Sequence, residues 1–212
     1  KESSAHISVD TLNKAMNQAA YVAVPIAAIG IIIAVAIQSN LALKFSSQLI
    51  SGSGESLYEA MLFIVLGCLL MGMGLPTVAA YIIGAILFVP ALLRLGISEM
   101  AAHFFVMYYC VLSMVTPPVA LASYTAAAIA KSHPMKTSLQ AFRLALVSFF
   151  IPVAFVFDSR LLGDGAILDV LFAAVSLSVG TTLWAIALAG YLGRVLRVYE
   201  RVVIGVGALN LI

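Results

Sequence analysis

From Leu57 to about Leu95 the sequence is apolar almost without interruption, and this stretch limits what the chain can fold into more than any other. A helix at the surface of a soluble protein keeps a polar face and an apolar stripe. Here the apolar character runs all the way round. The stretch is too long for one straight bilayer crossing, which takes about 20 residues. It is broken in the middle by Gly72-Met73-Gly74-Leu75-Pro76-Thr77, and glycines and a proline this close together end a helix. The sequence therefore predicts two helical arms, 57–72 and 77–94, joined at a tight tip. Arms of about 16–18 residues are short for full crossings, which favours a hairpin that enters and leaves on one side, although two full spans would return the chain to the same place.

The rest of the chain follows the same pattern. A polar segment, 1–16, precedes an apolar run from about Ala19 to Ile37, and residues 38–56 form a polar connection with a flexible turn at Ser51-Gly52-Ser53-Gly54. A third apolar run, about 100–130, is interrupted by Thr116-Pro117-Pro118. In the polar link 131–138, Ser132 can cap the next helix and Pro134 can occupy its first turn. Helix 140–157 ends at Asp158, a loop carries Gly163, Asp164 and Gly165, and a long run, about 167–192, crosses back to a basic segment, 193–201. The last apolar stretch, Val202 to Ile212, is too short to span, and the chain starts at Lys1, so both ends read as cut from something longer. Charged residues make up 9% of the sequence, hydrophobic residues 63%, and the mean hydropathy is +1.13. A soluble domain carries about 25% charged residues, so the fold class expected is all-α, a polytopic membrane protein. The net charge of +2, with no basic patch, gives no reason to expect nucleic acid. Cys68 and Cys110 lie in apolar runs without metal-ligand spacing and read as packed, inert thiols.

The charges orient the chain. If successive connections alternate sides, one side receives Lys1, Lys14, Lys131, Lys136, Arg143, Arg194, Arg197 and Arg201, and the other only Lys44, Arg94 and Arg160. The positive-inside rule makes the first side cytoplasmic. Six of the nine acids (Glu55, Glu59, Glu99, Asp158, Asp164 and Asp169) fall on the other side.

The two interruptions carry the chemistry. Irregular backbone at membrane depth is tolerated only where protein covers it or where it lines a cavity, and transporters place their sites at such breaks. Proline has no N–H, so Pro117 is expected to free the carbonyl of Ser113, and Pro118 that of Met114. The Thr116 hydroxyl adds an oxygen, and the upstream half-helix ends here with its negative dipole end. Neutral oxygens at such an end suit a hard cation such as sodium. The downstream half, starting near Val119 with Ala120 and Ser123, presents N–H groups that suit a carboxylate. The Gly72–Thr77 break has the same ingredients, with glycines that allow close backbone approach. No Asp, Glu, Lys or Arg lies deep in a span. A proton relay would need such groups, and the one candidate, His103, reads as packed or interfacial. Arg94 and Glu99 read as interfacial anchors, and Trp184, Tyr81, Tyr108, Tyr109, Tyr124 and Tyr191 as belt or packing residues. No Walker A, HExxH or GxSxG motif is present, and no hydroxyl is paired with a base, so an enzyme is not expected.

The series GMGLPT, AAHFFV, TPPVALASY and HPMKT, followed by AFRLALVSFFIPVAFVFD, resembles the large membrane subunit of TRAP (tripartite ATP-independent periplasmic) transporters and, among them, the fused permeases of the TAXI branch. The likeness is dense over about 57–160, weaker over 161–212 and slight over 1–56. It implies a multi-pass protein of a bacterial or archaeal cytoplasmic (inner) membrane. It also implies sodium-driven uptake of a carboxylate-type organic solute delivered by a periplasmic binding protein, with no cofactor beyond the coupling ion. The family fold has two inverted repeats and works as an elevator, each repeat holding a helical hairpin and a discontinuous helix. On that pattern 57–160 is the second transport repeat, 1–56 a preceding helix and connection, and 161–212 a C-terminal helix and tail. Carried over residue by residue, the sodium ligands are expected among Gly72, Gly74, Thr77, Ser113, Thr116 and Pro117, mainly through backbone oxygens; the solute contacts expected at Ala120 and Ser123 rest on the start of the downstream half-helix alone. The first repeat and the small-subunit helices are missing from the chain, which reads as the C-terminal part of a permease. The competing readings are a channel, for which these spans lack a continuous polar lining, and a structural or assembly subunit, which has no need of two oxygen-rich breaks.

Overall fold

The computed structural model describes residues 2–54, 56–73 and 75–209, and among these it is helical almost throughout. The order is α1 (Glu2–Gln38), α2 (Leu41–Gly52), α3 (Leu57–Gly72), α4 (Thr77–Arg94), α5 (Glu99–Leu112), a 3-10 turn (Ser113–Val115), α6 (Leu121–Ile129), α7 (Pro134–Ala145), a second 3-10 turn (Leu146–Phe149), α8 (Ile151–Phe157), a third (Ser159–Leu162), α9 (Ile167–Ala189) and α10 (Val198–Leu209). Three stretches among the described residues are long and apolar enough to cross a bilayer: Thr77–Arg94, Pro134–Phe157 and Ile167–Ala189.

The segment after α1, expected as a polar connection, is instead a helix, α2. Its Ser and Gly residues are not turn-forming until Ser53, because Phe45 and Leu49 pack on the core and hold the segment helical. The helix after the 131–138 link begins at Pro134 rather than near residue 140. Pro134 sits in its first turn. Ser132, however, does not cap it: His133 is the N-cap residue, and the Ser132 hydroxyl pairs with that of Thr137 at 2.8 Å. The crossing is also not smooth, since it tightens to a 3-10 turn just ahead of Pro152, which cannot donate to the carbonyl four residues back.

The core lies between α3, α4 and α5, flanked by α2 and α8. Ile64, Cys68, Leu92, Phe105, Val106 and Cys110 are fully buried there. Lipid is as apolar as leucine, so membrane helices associate by close packing rather than by escape from water. Small residues at the contacts make that possible: Ala60, Ala79, Ala80, Ala101 and Ala102 are all buried. Gly84 lets Val106 approach to 3.0 Å of where its Cβ would stand. Both cysteines are buried and unlinked. Ser98 caps α5, its hydroxyl accepting from the Ala101 N–H at 3.4 Å.

Candidate functional site

The hairpin tip seats on the break of the split helix. A Cβ placed on Gly72 would stand 1.9 Å from Ser113 Oγ and 2.6 Å from Ser113 Cβ, so only glycine allows α3 to end there. Met73 terminates the helix in extended conformation, its N–H donating to the Leu70 carbonyl. Gly74 lies outside the described residues. Thr77 opens α4, half-buried, and the main contacts of α4 run to α2, α3 and α5 rather than to the break. Gly72 and Ser113 are thus in direct contact, with Thr116 in the turn that follows, while Thr77 stands on the far arm of the tip.

The break itself corrects one expectation. Pro117 does not leave the Ser113 carbonyl without a partner. The chain tightens into a 3-10 turn, and the Thr116 N–H donates to that carbonyl at 3.1 Å. Shifting to i→i+3 bonding is a common way for a helix end to satisfy its last carbonyls. The two hydroxyls are also committed. Ser113 Oγ donates to the Cys110 carbonyl at 2.6 Å, and Thr116 Oγ1 to the Leu112 carbonyl at 2.7 Å. A hydroxyl has one proton and two lone pairs. With the proton spent, each of these oxygens can only accept a further bond or ligate a cation. Pro117 and Pro118 are joined by a cis peptide.

Downstream, the Tyr124 hydroxyl reaches back to donate to the Pro118 carbonyl and braces the loop against α6. Ala120 and Ser123 are both buried, and Ser123 Oγ has no hydrogen-bond partner among the described residues. Ser138 Oγ, on the neighbouring α7, is likewise buried without one. At the N-terminal end of α6 Ala120 and Ser123 thus face protein, while Leu121 and Ala122 are exposed. His103 accepts from or donates to Tyr81 across 2.9 Å, linking α4 to α5. Tyr109, 2% exposed, donates to the Phe149 carbonyl at 2.7 Å and ties α5 to the 3-10 turn before α8. Sequence reading placed Tyr109 and Tyr124 among packing residues and missed these roles. The available signal was a phenol in an apolar helix, which needs a partner when buried. Among the described residues no group of His, Cys, Asp or Glu could hold a metal ion, so a cation here would rest on hydroxyl and carbonyl oxygens.

A family model for the tripartite ATP-independent periplasmic transporter, DctM component, matches residues 2–164. The chain belongs to the DctM family. As a DctM protein it is a membrane component of a TRAP transporter, a family of transporters rather than enzymes, whose DctM components generally work with a periplasmic binding protein and a small subunit. No curated protein and no solved structure matches the chain. The matched region covers both the hairpin and the split helix, so the contact between Gly72 and Ser113 belongs to the family's part of the chain.

Outside the membrane two ion pairs form between residues close in sequence. Arg160 grips Asp158 through Nε and Nη2, both at 2.8 Å, and through its backbone N–H at 3.0 Å, which holds the Asp158 carboxyl below the usual carboxylate range. Arg194 grips Glu200 and lowers its carboxyl in the same way, with help from the Arg197 N–H. Arg94 donates to Ser47 at 2.9 Å, joining the C-terminal end of α4 to α2.

Proposed function

We propose that this chain is the sodium-coupled, C-terminal part of a TAXI-type TRAP permease. It would import an organic carboxylate handed over by a periplasmic binding protein. One observation carries the reading: the hairpin tip meets the split helix where the Ser113 and Thr116 hydroxyls donate their hydrogen bonds to upstream carbonyls and leave only lone pairs free. Oxygens arranged this way repel an anion and attract a hard cation, and the C-terminal end of α5 adds its negative dipole. The hairpin is read as re-entrant, because its tip stops at the break while α6 still separates the break from the basic link at Lys131. Under this reading Gly72, Gly74, Thr77, Ser113, Thr116 and Pro117 form one half of the cation site. Ala120 and Ser123 become available to the solute only when α6 moves from its present cover. An inverted first repeat would supply the other half, and an elevator movement would carry both.

The test is solute uptake into proteoliposomes holding the complete permease, with its binding protein outside. Uptake should depend on a sodium gradient, and Thr116→Ala should raise the sodium concentration needed for half-maximal uptake by about tenfold, the equivalent of one hydroxyl–cation contact. Uptake that persists unchanged without sodium overturns the coupling. An unchanged sodium requirement in Thr116→Ala removes that residue from the site.

A further inference from the structure

α9 and α10 form an antiparallel pair at the basic end of the molecule, joined by a tight reversal. Gly190 closes α9 in the left-handed conformation, and Tyr191 bridges Val195. Between the helices runs an open groove of about 390 Å³, walled by Trp184, Ala187, Val198, Arg201, Val202 and Gly205. Its outer wall is one face of α10, where Val198, Val202 and Val206 recur every four residues and are 77%, 58% and 56% exposed. Its floor is Gly205. A Cβ there would meet Trp184 Cζ3 and Cε3 at 3.7 and 3.9 Å, so the apolar benzo edge of the indole faces the groove and a side chain larger than methyl would fill it.

The mouth is charged. Arg201 donates through Nε to the Ala187 carbonyl and through Nη2 to the Leu188 carbonyl, both at 2.8 Å, and no carboxylate is within ion-pair distance of it among the described residues. Among the described residues its charge is met by these carbonyls at the C-terminal end of α9. In the reversal from Gly190 to Arg201, three guanidiniums face one carboxylate, Glu200, which leaves a net charge of +2. On the other side of the α9 terminus a second groove carries Gln140 and Arg143 beside Leu188.

An apolar trough that has the Arg201 guanidinium at its mouth, with no carboxylate within ion-pair distance of it among the described residues, and that runs along a membrane-spanning helix has the polarity of one phospholipid. We propose that this groove holds an anionic glycerophospholipid, with its phosphate at Arg201 and Arg197 and an acyl chain along Trp184, Val202 and Val206. Charge complementarity selects this occupant. A protein helix would satisfy the valines but leave the guanidiniums without a counter-charge, and a zwitterionic lipid brings its own cation to a site already basic. The site is separate from the hairpin and the split helix, and it stands whether or not transport is coupled to sodium.

Trp184 is the chain's single tryptophan, so its fluorescence reports the groove alone. The full chain is reconstituted in phosphatidylcholine vesicles that contain, at equal mole fraction, either phosphatidylglycerol or phosphatidylcholine with brominated acyl chains. Bromine quenches an indole it touches. Brominated phosphatidylglycerol should quench with an apparent association constant about fivefold above that of brominated phosphatidylcholine, and the preference should fall towards one as KCl is raised. Gly205→Leu, which fills the groove, and Arg197→Gln, which removes an exposed charge, should each reduce it. Equal quenching by the two lipids overturns the proposal, as does a preference that salt leaves unchanged. Quenching by neither would show the groove to be covered by protein and would overturn it too. The salt series needs no variant, so the result stands even if Gly205→Leu fails to fold.

Discussion

The unit of α3 to α6 and the pair α9–α10 answer the bilayer in opposite ways. In the apolar stretch of α4, 39% of residues are buried inside the protein, against 11% in α9. The first unit surrounds a backbone that leaves helical geometry twice, at Gly72 and at Ser113. The second keeps one unbroken helix from Ile167 to Ala189, with Leu168, Phe172 and Val175 turned outward. Regular helix satisfies its own backbone and can face lipid, whereas broken helix must be covered. Between these two regions the more densely packed one is the one whose backbone breaks, at like apolar content; the Pro134–Phe157 crossing, which tightens to a 3-10 turn yet is only 11% buried, shows that irregularity alone does not set packing.

The strongest test of that comparison is at the tip. Gly72→Val should destabilise the hairpin by about 3 kcal/mol, the upper range for overpacking, read as a lower midpoint of thermal unfolding in detergent. If a close fit to Ser113 is the cause, Gly72→Ala combined with Ser113→Gly should recover most of the loss of the single Gly72→Ala change. Additive losses in the double-mutant cycle would show that the two sites do not touch. Next in size is Tyr109→Phe, which strands the Phe149 carbonyl and should cost about 1–2 kcal/mol, measured the same way. Removing the phenol of Tyr191, which is 60% exposed, should cost almost nothing by comparison. In the second region Arg201→Gln loses the two bonds that close the end of α9 and should cost about 1 kcal/mol, seen as faster amide exchange confined to the last turn of that helix. A small loss there, beside a large one at Gly72, is what the contrast requires.

The smallest effect is expected in the loop between the regions. Arg160 lowers the Asp158 carboxyl in the folded chain. A depressed carboxyl contributes stability at pH above its unfolded value, about 4, and loses that contribution as pH falls through the lower folded value. Asp158→Asn should therefore flatten a slight acid-side decline below about pH 4 in helicity or melting midpoint and leave neutral behaviour unchanged. A difference that appears only above pH 5 would contradict the assignment. The pair is solvent-exposed, which keeps the effect small.

Much of the fold was legible because membrane helices leave coarse marks. Apolar runs give the crossings, and proline with glycine gives the breaks at Gly72–Thr77 and Thr116–Pro118. What misled was polarity used as a sign of turn. The Ser-rich 41–52 segment is helical because Phe45 and Leu49 face the core, and no local rule shows a core formed by residues distant in sequence. The Ser113 carbonyl shows the same limit. Proline chemistry says that one donor is lost, but not that the turn will tighten so that Thr116 replaces it.

By itself, then, the sequence determined that this chain is a helical membrane protein and where its helices break. These follow from the cost of polar groups in hydrocarbon, which each segment meets alone. Only the tertiary structure decided that Gly72 rests on Ser113, that Tyr124 and Tyr109 brace the loops beside the break, and that Arg201 stands at the mouth of an apolar groove. Those contacts join residues far apart along the chain or across a turn. Close packing between helices sets them, and it depends on the shapes of both partners at once.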